Sequence, residues 1–357
     1  MPRVNILRQC PIVDSARINV LRSLMDYPED ANTQFKAEFD IDLSEPWEIG
    51  LIVGPSGSGK STIAKELFGD IHTPEWNNDI SVFDNFPLTP SATANLLSSV
   101  GLSSVPAWLR PRYLLSGGEG FRADVAMSLA VSGQKLVVID EFTSVVDRQV
   151  AKAISACLSK HARREKQQVV CISCHYDVLE WLQPNWVLDT MTYEYSRRLL
   201  CPRPSIDIEI GEVSPHKAWG LFEPHHYMKG AQSFAVQAWC AYLQGIPVGY
   251  SSYAILPNAY VKDIMMGSRL VVLPDYQGLG IGKALVNYVA GVLHQRGYRV
   301  RNRTAHPGAQ NMYNKDPHWR FVNVGRSSKL SRTSTIPRMR TQNKLCHRIT
   351  RGYEYVP

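Results

Sequence analysis

The chain has 357 residues, 44% of them hydrophobic and 20% charged, which is ordinary globular composition in a length suited to two domains. No stretch approaches the ~20 apolar residues needed to cross a bilayer, and MPRVNILRQCPIVDSARINV has neither a long apolar core nor a small-residue cleavage site, so the pattern predicts a cytoplasmic protein without membrane span or signal peptide. The net charge of +7 is uneven: residues 1–200 carry 19 Lys/Arg against 24 Asp/Glu, whereas residues 201–357 carry 20 against 8, and 14 of those cations lie within residues 296–357. The rear half therefore reads as a surface for a polyanion. Tyr298, Tyr313, Trp319 and Phe321 are interleaved with the charges and suit stacking on bases. A solvated basic tail without a partner is the plain alternative. The seven cysteines, scattered and odd in number, fit reduced thiols.

In chain order, Leu51-Ile52-Val53 is a short apolar run fit for a buried parallel strand. Gly54 to Ser61 follow as G-x-x-x-x-G-K-S. Gly54, Gly57 and Gly59 let the backbone wrap tightly so that its N–H groups, with those near Ser56 and Thr62, face phosphate oxygens. Lys60 reaches the β/γ-phosphates, Ser61 offers a hydroxyl to Mg²⁺, and the helix begun by TIAKELF points its positive end at the anion. This predicts an ATP·Mg²⁺ site. A second apolar strand, in KLVVIDEF, ends in Asp140, placed to hold Mg²⁺ with Ser61, and Glu141, placed to orient or deprotonate a water.

Between the two strands lies LLSGGEG, residues 114–120, which read bare is a turn or helix N-cap with Glu119 in the first turn. LSGGE matches the signature motif of ABC-type ATPases, and the front half resembles that family. The resemblance implies that Ser116, Gly117 and Gly118 close over the γ-phosphate held by another subunit's P-loop, in a head-to-tail homodimer with composite sites. It places the D-loop at Ser144-Val145-Val146-Asp147 and the switch histidine at His175. The helical arm between Lys60 and Ser116 is short for the family. Trp76, Asn77 or Asn78 stands where its Q-loop glutamine belongs, and Tyr27, Phe35 or Phe39 where its adenine-stacking aromatic does.

His175 also ends CISCH, the C-x-x-C-H spacing of covalent haem attachment. Gln168 to Ser173 read as another buried strand, so Cys171 and Cys174 are expected to pack as small apolar residues, with His175 just past the strand end. The stretch at residues 195–215, rich in proline and basic residues, is a connector leading into a strand at Ile206–Ile210. One cut there gives domains 1–202 and 203–357.

In the rear half, WCAYLQGIPVGYSSYAIL reads as a hairpin about a Gln-Gly turn, and Leu270 to Leu273 as a strand. Gln277, Gly278, Gly280 and Gly282 open a helix whose apolar residues include Leu285, Val286, Val289 and Val292. Such a loop binds a pyrophosphate through backbone N–H groups. No acid lies near the ~20-residue spacing that a dinucleotide fold needs. The Gln-x-x-Gly-x-Gly spacing is similar to that of GNAT acetyltransferases, where it holds acetyl-CoA or another acyl-CoA, and Tyr313 falls where a GNAT tyrosine acts as general acid. A packed aromatic is the equal alternative for Tyr313. KAWGLFEPHHYMKG gathers Trp219, Phe222, His225, His226 and Tyr227, with His226 the candidate proton acceptor and a packed or surface His pair the plain alternative, and His306 lies in a basic loop. The fold class expected is α/β: a P-loop ABC-type ATPase domain followed by an α+β GNAT domain. The pairing resembles a fusion family of phages and archaea whose GNAT half is similar to Mom-type enzymes that modify DNA adenines. That resemblance implies an ATP-gated transferase acting on a nucleic-acid base. The alternatives are N-acetylation of a protein or small amine, and a non-catalytic acyl-CoA-sensing ATPase clamp.

Overall fold

The computed structural model describes residues 3–10, 15–25, 33–71, 73–132, 136–197, 205–226, 236–256, 263–326 and 349–357. The front elements are β1 (Arg3–Cys10), α1 (Ala16–Met25), β2 (Thr33–Asp40), β3 (Ile49–Val53), α2 (Lys60–Phe68), α3 (Pro90–Ser99), α4 (Val105–Trp108), α5 (Gly117–Ser132), β4 (Val137–Ile139), α6 (Arg148–Glu165), β5 (Val169–Ser173), α7 (Leu179–Leu182), β6 (Trp186–Asp189) and β7 (Glu194–Arg197). The rear elements are β8 (Glu209–Val213), α8 (Pro215–Phe222), β9 (Val236–Leu243), β10 (Ile246–Ile255), β11 (Ile264–Val272), α9 (Ile281–Gln295), β12 (Arg299–Thr304), α10 (Pro307–Asn314), β13 (Trp319–Arg326) and β14 (Ile349–Tyr355).

Residues pack into two compact units, 1–75 with 131–147 and 158–204, and 76–130 with 148–157 and 205–357. The grouping is thus finer than a single cut at 202/203: the segment carrying LSGGE packs with the rear half. The expected boundary near Arg203 lies outside the described residues.

In the first unit the sheet order is β4-β5-β3-β6-β7, parallel except for β7. All five residues of β3 and of β5 are buried, which is why both read as unbroken apolar runs rather than alternating ones. β1 and β2 form a separate antiparallel pair.

In the second unit the sheet order is β13-β14-β12-β11-β10-β9-β8. The hairpin β9–β10 turns on Gln244 and Gly245 at φ 51° and 79°, the left-handed pair that matches strand twist. α9 packs on this sheet through Ile281, Leu285, Val286, Val289 and Leu293. Leu293 takes the buried place expected of Val292, because four-residue steps from Leu285 and Val289 lead to it. The strand expected at Ile206–Ile210 begins at Glu209, and that expected at Leu270–Leu273 begins at Ile264 and is paired along β10. Polar and glycine residues in Met266–Arg269 hid its first half.

Candidate active sites

The loop at residues 54–59 lies between β3 and α2. Gly54, at φ 153°, faces Thr190 so closely that a Cβ would sit 2.1 Å from its Oγ1. Gly59 caps α2 in the left-handed region, φ 81°, and a Cβ there would meet the Phe35 ring at 2.1 Å. Gly57 differs from the other two in its surroundings. It is exposed, and a Cβ there would meet no atom within 4 Å, so its φ of 78° alone calls for glycine. Ser56 is likewise exposed, while Ser61 and Thr62 are half-buried in the first turn of α2. Ser58 Oγ and Thr190 Oγ1 are 2.5 Å apart, and Lys60 Nζ donates to Pro55 O at 2.6 Å, folding back over its own loop. Of the three stacking candidates, Phe35 lies against the loop. Phe39 is buried and stacked on Tyr193 at 6.3 Å, and Tyr27 is outside the described residues.

Asp140 Oδ1 accepts from the Glu141 N–H at 2.8 Å. Glu141 and Thr143 both have left-handed backbone, φ 50° and 67°, around a fully buried Phe142 whose N–H donates to Ile172 O at 2.7 Å. The exposed Glu141 carboxylate is thereby turned out of a tight bend, a conformation that costs about 1–3 kcal/mol per residue. His175 is half-buried, with its N–H on Ser173 Oγ at 3.1 Å. Cys171 is fully buried in β5, and burial pushes its thiol pKa far up, so it is a packing residue and not a thioether anchor. Cys174 is half-buried, 3.7 Å from Ser144 Oγ. No group of three or more His, Cys, Asp or Glu poised for a metal occurs among the described residues.

The signature segment opens α5 with a reciprocal cap, in which Ser116 Oγ accepts from Glu119 N at 3.3 Å and Glu119 Oε2 accepts from Ser116 N at 3.2 Å. Ser116 and Gly117 are exposed. Trp76, one of the three expected at the Q-loop position, is committed elsewhere: its indole N–H donates to Asp124 Oδ1 at 2.8 Å, beside the Arg112–Asp124 ion pair. Asn77 makes a local turn with Asp79 and Asn85, and Asn78 is exposed.

In the second unit β11 and β12 pair in parallel only from Ile264–Met266 to Arg299–Arg301. Beyond that the strands part, and Asn302 Oδ1 occupies space 1.7 Å from where Gly267 would carry a Cβ. A register shift between Ser252 and Tyr253 bends β11 at the same level. A cleft of about 380 Å³ opens there. Gln277, Gly278, Gly280, Gly282, His226 and Tyr313, six residues scattered in sequence, all line it. Gly278 and Gly280 have φ 86° and 92°, carrying the loop into the N-terminus of α9. The Gln277 side chain is engaged by protein, Nε2 donating to Val272 O at 2.9 Å and Oε1 accepting from Ser103 N at 2.8 Å.

His226 is buried, edge-on to Trp219 at 5.6 Å. Arg269, also lining the cleft, sits 5.7 Å over the Trp219 ring. Tyr227 lies outside the described residues. Tyr313 is both cleft-lining and packed: it is 3% exposed, 4.9 Å from Tyr353 and 4.8 Å from Trp319, and burial raises its hydroxyl pKa well above 10. His306 Nε2 donates to Ser103 O at 3.0 Å, and burial lowers its pKa, so it is neutral at pH 7. Ser103, Arg269 and Asn302 carried no sequence signal, because nothing in their spacing points at a cleft made by strand divergence.

On β12, Arg299, Arg301 and Arg303 share one face, as alternation predicts. Two of them are not free cations. Glu354 on β14 accepts from Arg299 at 2.7 Å and from Arg301 at 2.9 Å. Its burial favours the neutral acid, but the two guanidiniums outweigh that and lower its pKa. Much of the basic tail, residues 327–348, lies outside the described residues.

Residues 235–315 match the family model of the acetyltransferase (GNAT) domain. The chain is 30% identical to the manganese transport system ATP-binding protein MntA of Synechocystis sp., over 37% of this chain and 65% of that protein, and so spans less than two thirds of its length. It is 28% identical to the glutamate transport ATP-binding protein GluA of Corynebacterium efficiens, over 39% of this chain and 74% of that one. Among solved structures it is similar to a dimeric ATP-binding cassette bound to ADP and phosphate, with TM-score 0.36, 15% identity and coverage of 45% of this chain and 88% of that chain. It is also similar to an IAA acetyltransferase of Bacillus cereus, with TM-score 0.31, 15% identity and coverage of 42% and 99%. Both kinds of match fall in one polypeptide: its N-terminal half is similar to ABC-type ATP-binding proteins, and residues 235–315 match the GNAT acetyltransferase domain model.

Proposed function

We propose that the protein is a cytoplasmic ATP hydrolase that works as a head-to-tail homodimer and gates an acyl-CoA-dependent N-acyltransferase acting on a nucleic-acid base, DNA first. The observation that carries the transferase reading is the cleft where β11 and β12 part, which ends on the glycine loop at the α9 N-terminus. Backbone N–H groups of Gly278 to Gly282 would hold the cofactor's pyrophosphate. The thioester supplies an activated acyl carbon. The acceptor nitrogen takes that carbon, the carbon–sulfur bond breaks, one proton leaves the nitrogen and one goes to sulfur. His226 is the acceptor of the first proton and Tyr313 the donor of the second. In the ATPase portion, Lys60 would turn from Pro55 O to the β/γ-phosphates, and Ser61 with Asp140 would hold Mg²⁺. Glu141 would take the proton of the attacking water, with His175 bonded to the γ-phosphate.

Nucleic acid as acceptor is supported by the exposed Arg303 and Arg320 and by the half-exposed Phe321, a cationic and stacking surface. A protein or small amine as acceptor is favoured by one contrary observation, the Glu354 carboxylate that already occupies Arg299 and Arg301. Base-resolved mass spectrometry of DNA and RNA from cells with and without the protein separates the two. An acylated base that depends on Tyr313 and Glu141 supports the first. Unmodified nucleic acid with acyl-CoA turnover on peptide or amine pools moves the acceptor to the second.

A further inference from the structure

Ser103 belongs to the ATPase portion by sequence, yet both its backbone polar groups are used by the transferase. Its N–H donates to Gln277 Oε1 at 2.8 Å and its carbonyl accepts from His306 Nε2 at 3.0 Å, across 174 and 203 residues. Trp108, whose indole N–H donates to Leu102 O at 2.7 Å, holds the His306 ring at 5.7 Å. Ser103 and Ser98 line the same cleft as Gln277 and His306.

The glycine loop is seated on this segment at further points. A Cβ on Gly278 would lie 1.9 Å from Cys157 Sγ on α6. A Cβ on Gly118, the second glycine of the signature, would lie 3.6 Å from Asp275 Oδ1. The stretch Asp275 to Gly278 therefore lies beside Gly118 and Cys157 and is hydrogen-bonded to Ser103. Gly118 of the signature turn thus lies close beside Asp275 of the cofactor loop, so a displacement of the turn alters the space open to the loop.

We propose that the Gly101–Val105 segment is a wall of the acyl-CoA cleft, and that the Asp275–Gly278 loop couples occupancy of that cleft to engagement of the Ser116–Glu119 signature by nucleotide. The inference rests on the reading of the two ligands as acyl-CoA and ATP. A partner's γ-phosphate drawn onto Ser116 and Gly118 moves the surface against which Asp275 rests. The loop then presents its N–H groups to the pyrophosphate in a different position. The effect must be reciprocal: whatever factor ATP imposes on acyl-CoA affinity, acyl-CoA imposes on ATP affinity.

The test uses the full chain carrying Glu141→Gln, so that ATP persists. Equilibrium dialysis gives the Kd of radiolabelled acetyl-CoA with and without saturating Mg·ATP, and the Kd of labelled ATP with and without acetyl-CoA. The expected result is a change of about 5-fold to 150-fold, equal in both directions. Gln277→Ala, which removes the Ser103 link, and the exposed Asp275→Ala, which a folding defect is not expected to follow, should each bring that factor towards one. Two ligands that both bind but ignore each other within twofold overturn the coupling and leave the functional reading standing. An unchanged factor in both variants also overturns it, since the coupling would then not run through the loop. Failure of acetyl-CoA or ATP to bind at all removes the functional reading and this inference with it.

Discussion

Ser116 and Glu119 each accept a hydrogen bond from the other's backbone N–H, at 3.3 and 3.2 Å, so the signature motif is also the N-terminal cap of α5. The two roles can be separated. Ser116→Ala loses the cap and should cost about 1 kcal/mol of stability. Ser116→Asp keeps an acceptor at the cap, so its melting temperature should stay near wild type, while the added negative charge should abolish ATPase activity. Thermal melts and phosphate release on the three proteins check this. An active Asp variant would show that Ser116 meets no phosphate.

Glu141→Gln should keep ATP binding and lower hydrolysis by about 10²-fold to 10⁴-fold, the range expected for loss of a general base. With Mg·ATP it should accumulate as a dimer in size exclusion with light scattering. A variant that stays monomeric with ATP bound argues against composite sites.

His175→Ala should lose ATP hydrolysis while nucleotide binding is largely retained, because one hydrogen bond to a developing charge in a closed site is worth about 3 kcal/mol. Absorption spectra of purified protein and of Cys171→Ser check the same residue from the other side. A Soret band lost in the variant would contradict the burial of Cys171.

DNA affinity, if the β12 face carries it, should respond to Glu354. Arg299, Arg301 and Arg303 hold three positive charges, and Glu354 cancels one. Replacing the three by Gln should lower the log–log salt slope by about 2 rather than 3, and Glu354→Gln should raise it by about 1. Anisotropy titrations on duplex DNA over a salt series measure both. A triple variant that loses acetyl-CoA binding with an unchanged slope assigns this face to the cofactor instead.

His161 is buried and its pKa is lowered to about 4, first by desolvation and then by Arg164. The unfolded chain binds its proton near pH 6.5, the folded protein only near 4. The neutral His161 therefore contributes stability that is fully present above pH 6.5 and lost as pH falls through 4. Two to three pKa units correspond to about 3 kcal/mol. Urea melts between pH 7 and 4 should show this loss, and His161→Gln should flatten it.

The sequence by itself determined the local backbone geometry. Gly54 to Ser61, Asp140-Glu141, Ser116 to Glu119 and the Gln244-Gly245 turn are contiguous runs whose backbone geometry follows from glycine, capping residues and unbroken apolar strands. Neighbours in sequence are neighbours in space there, so spacing alone carries the local geometry. Tertiary structure decided what lies far apart in the chain. The motif alone could not tell that Gly54 and Gly59 are hemmed in by Thr190 and Phe35 while Gly57 stands in open space. The cleft exists because β11 and β12 part after three paired residues, and no spacing rule encodes where two strands diverge. Glu354 quenches Arg299 and Arg301 across a strand pairing that skips about fifty residues. Ser103 reaches Gln277 and His306 only because its segment packs with the rear half. Its contribution is made by backbone N–H and C=O groups, which every residue except proline possesses, so side-chain identity at position 103 could not announce it.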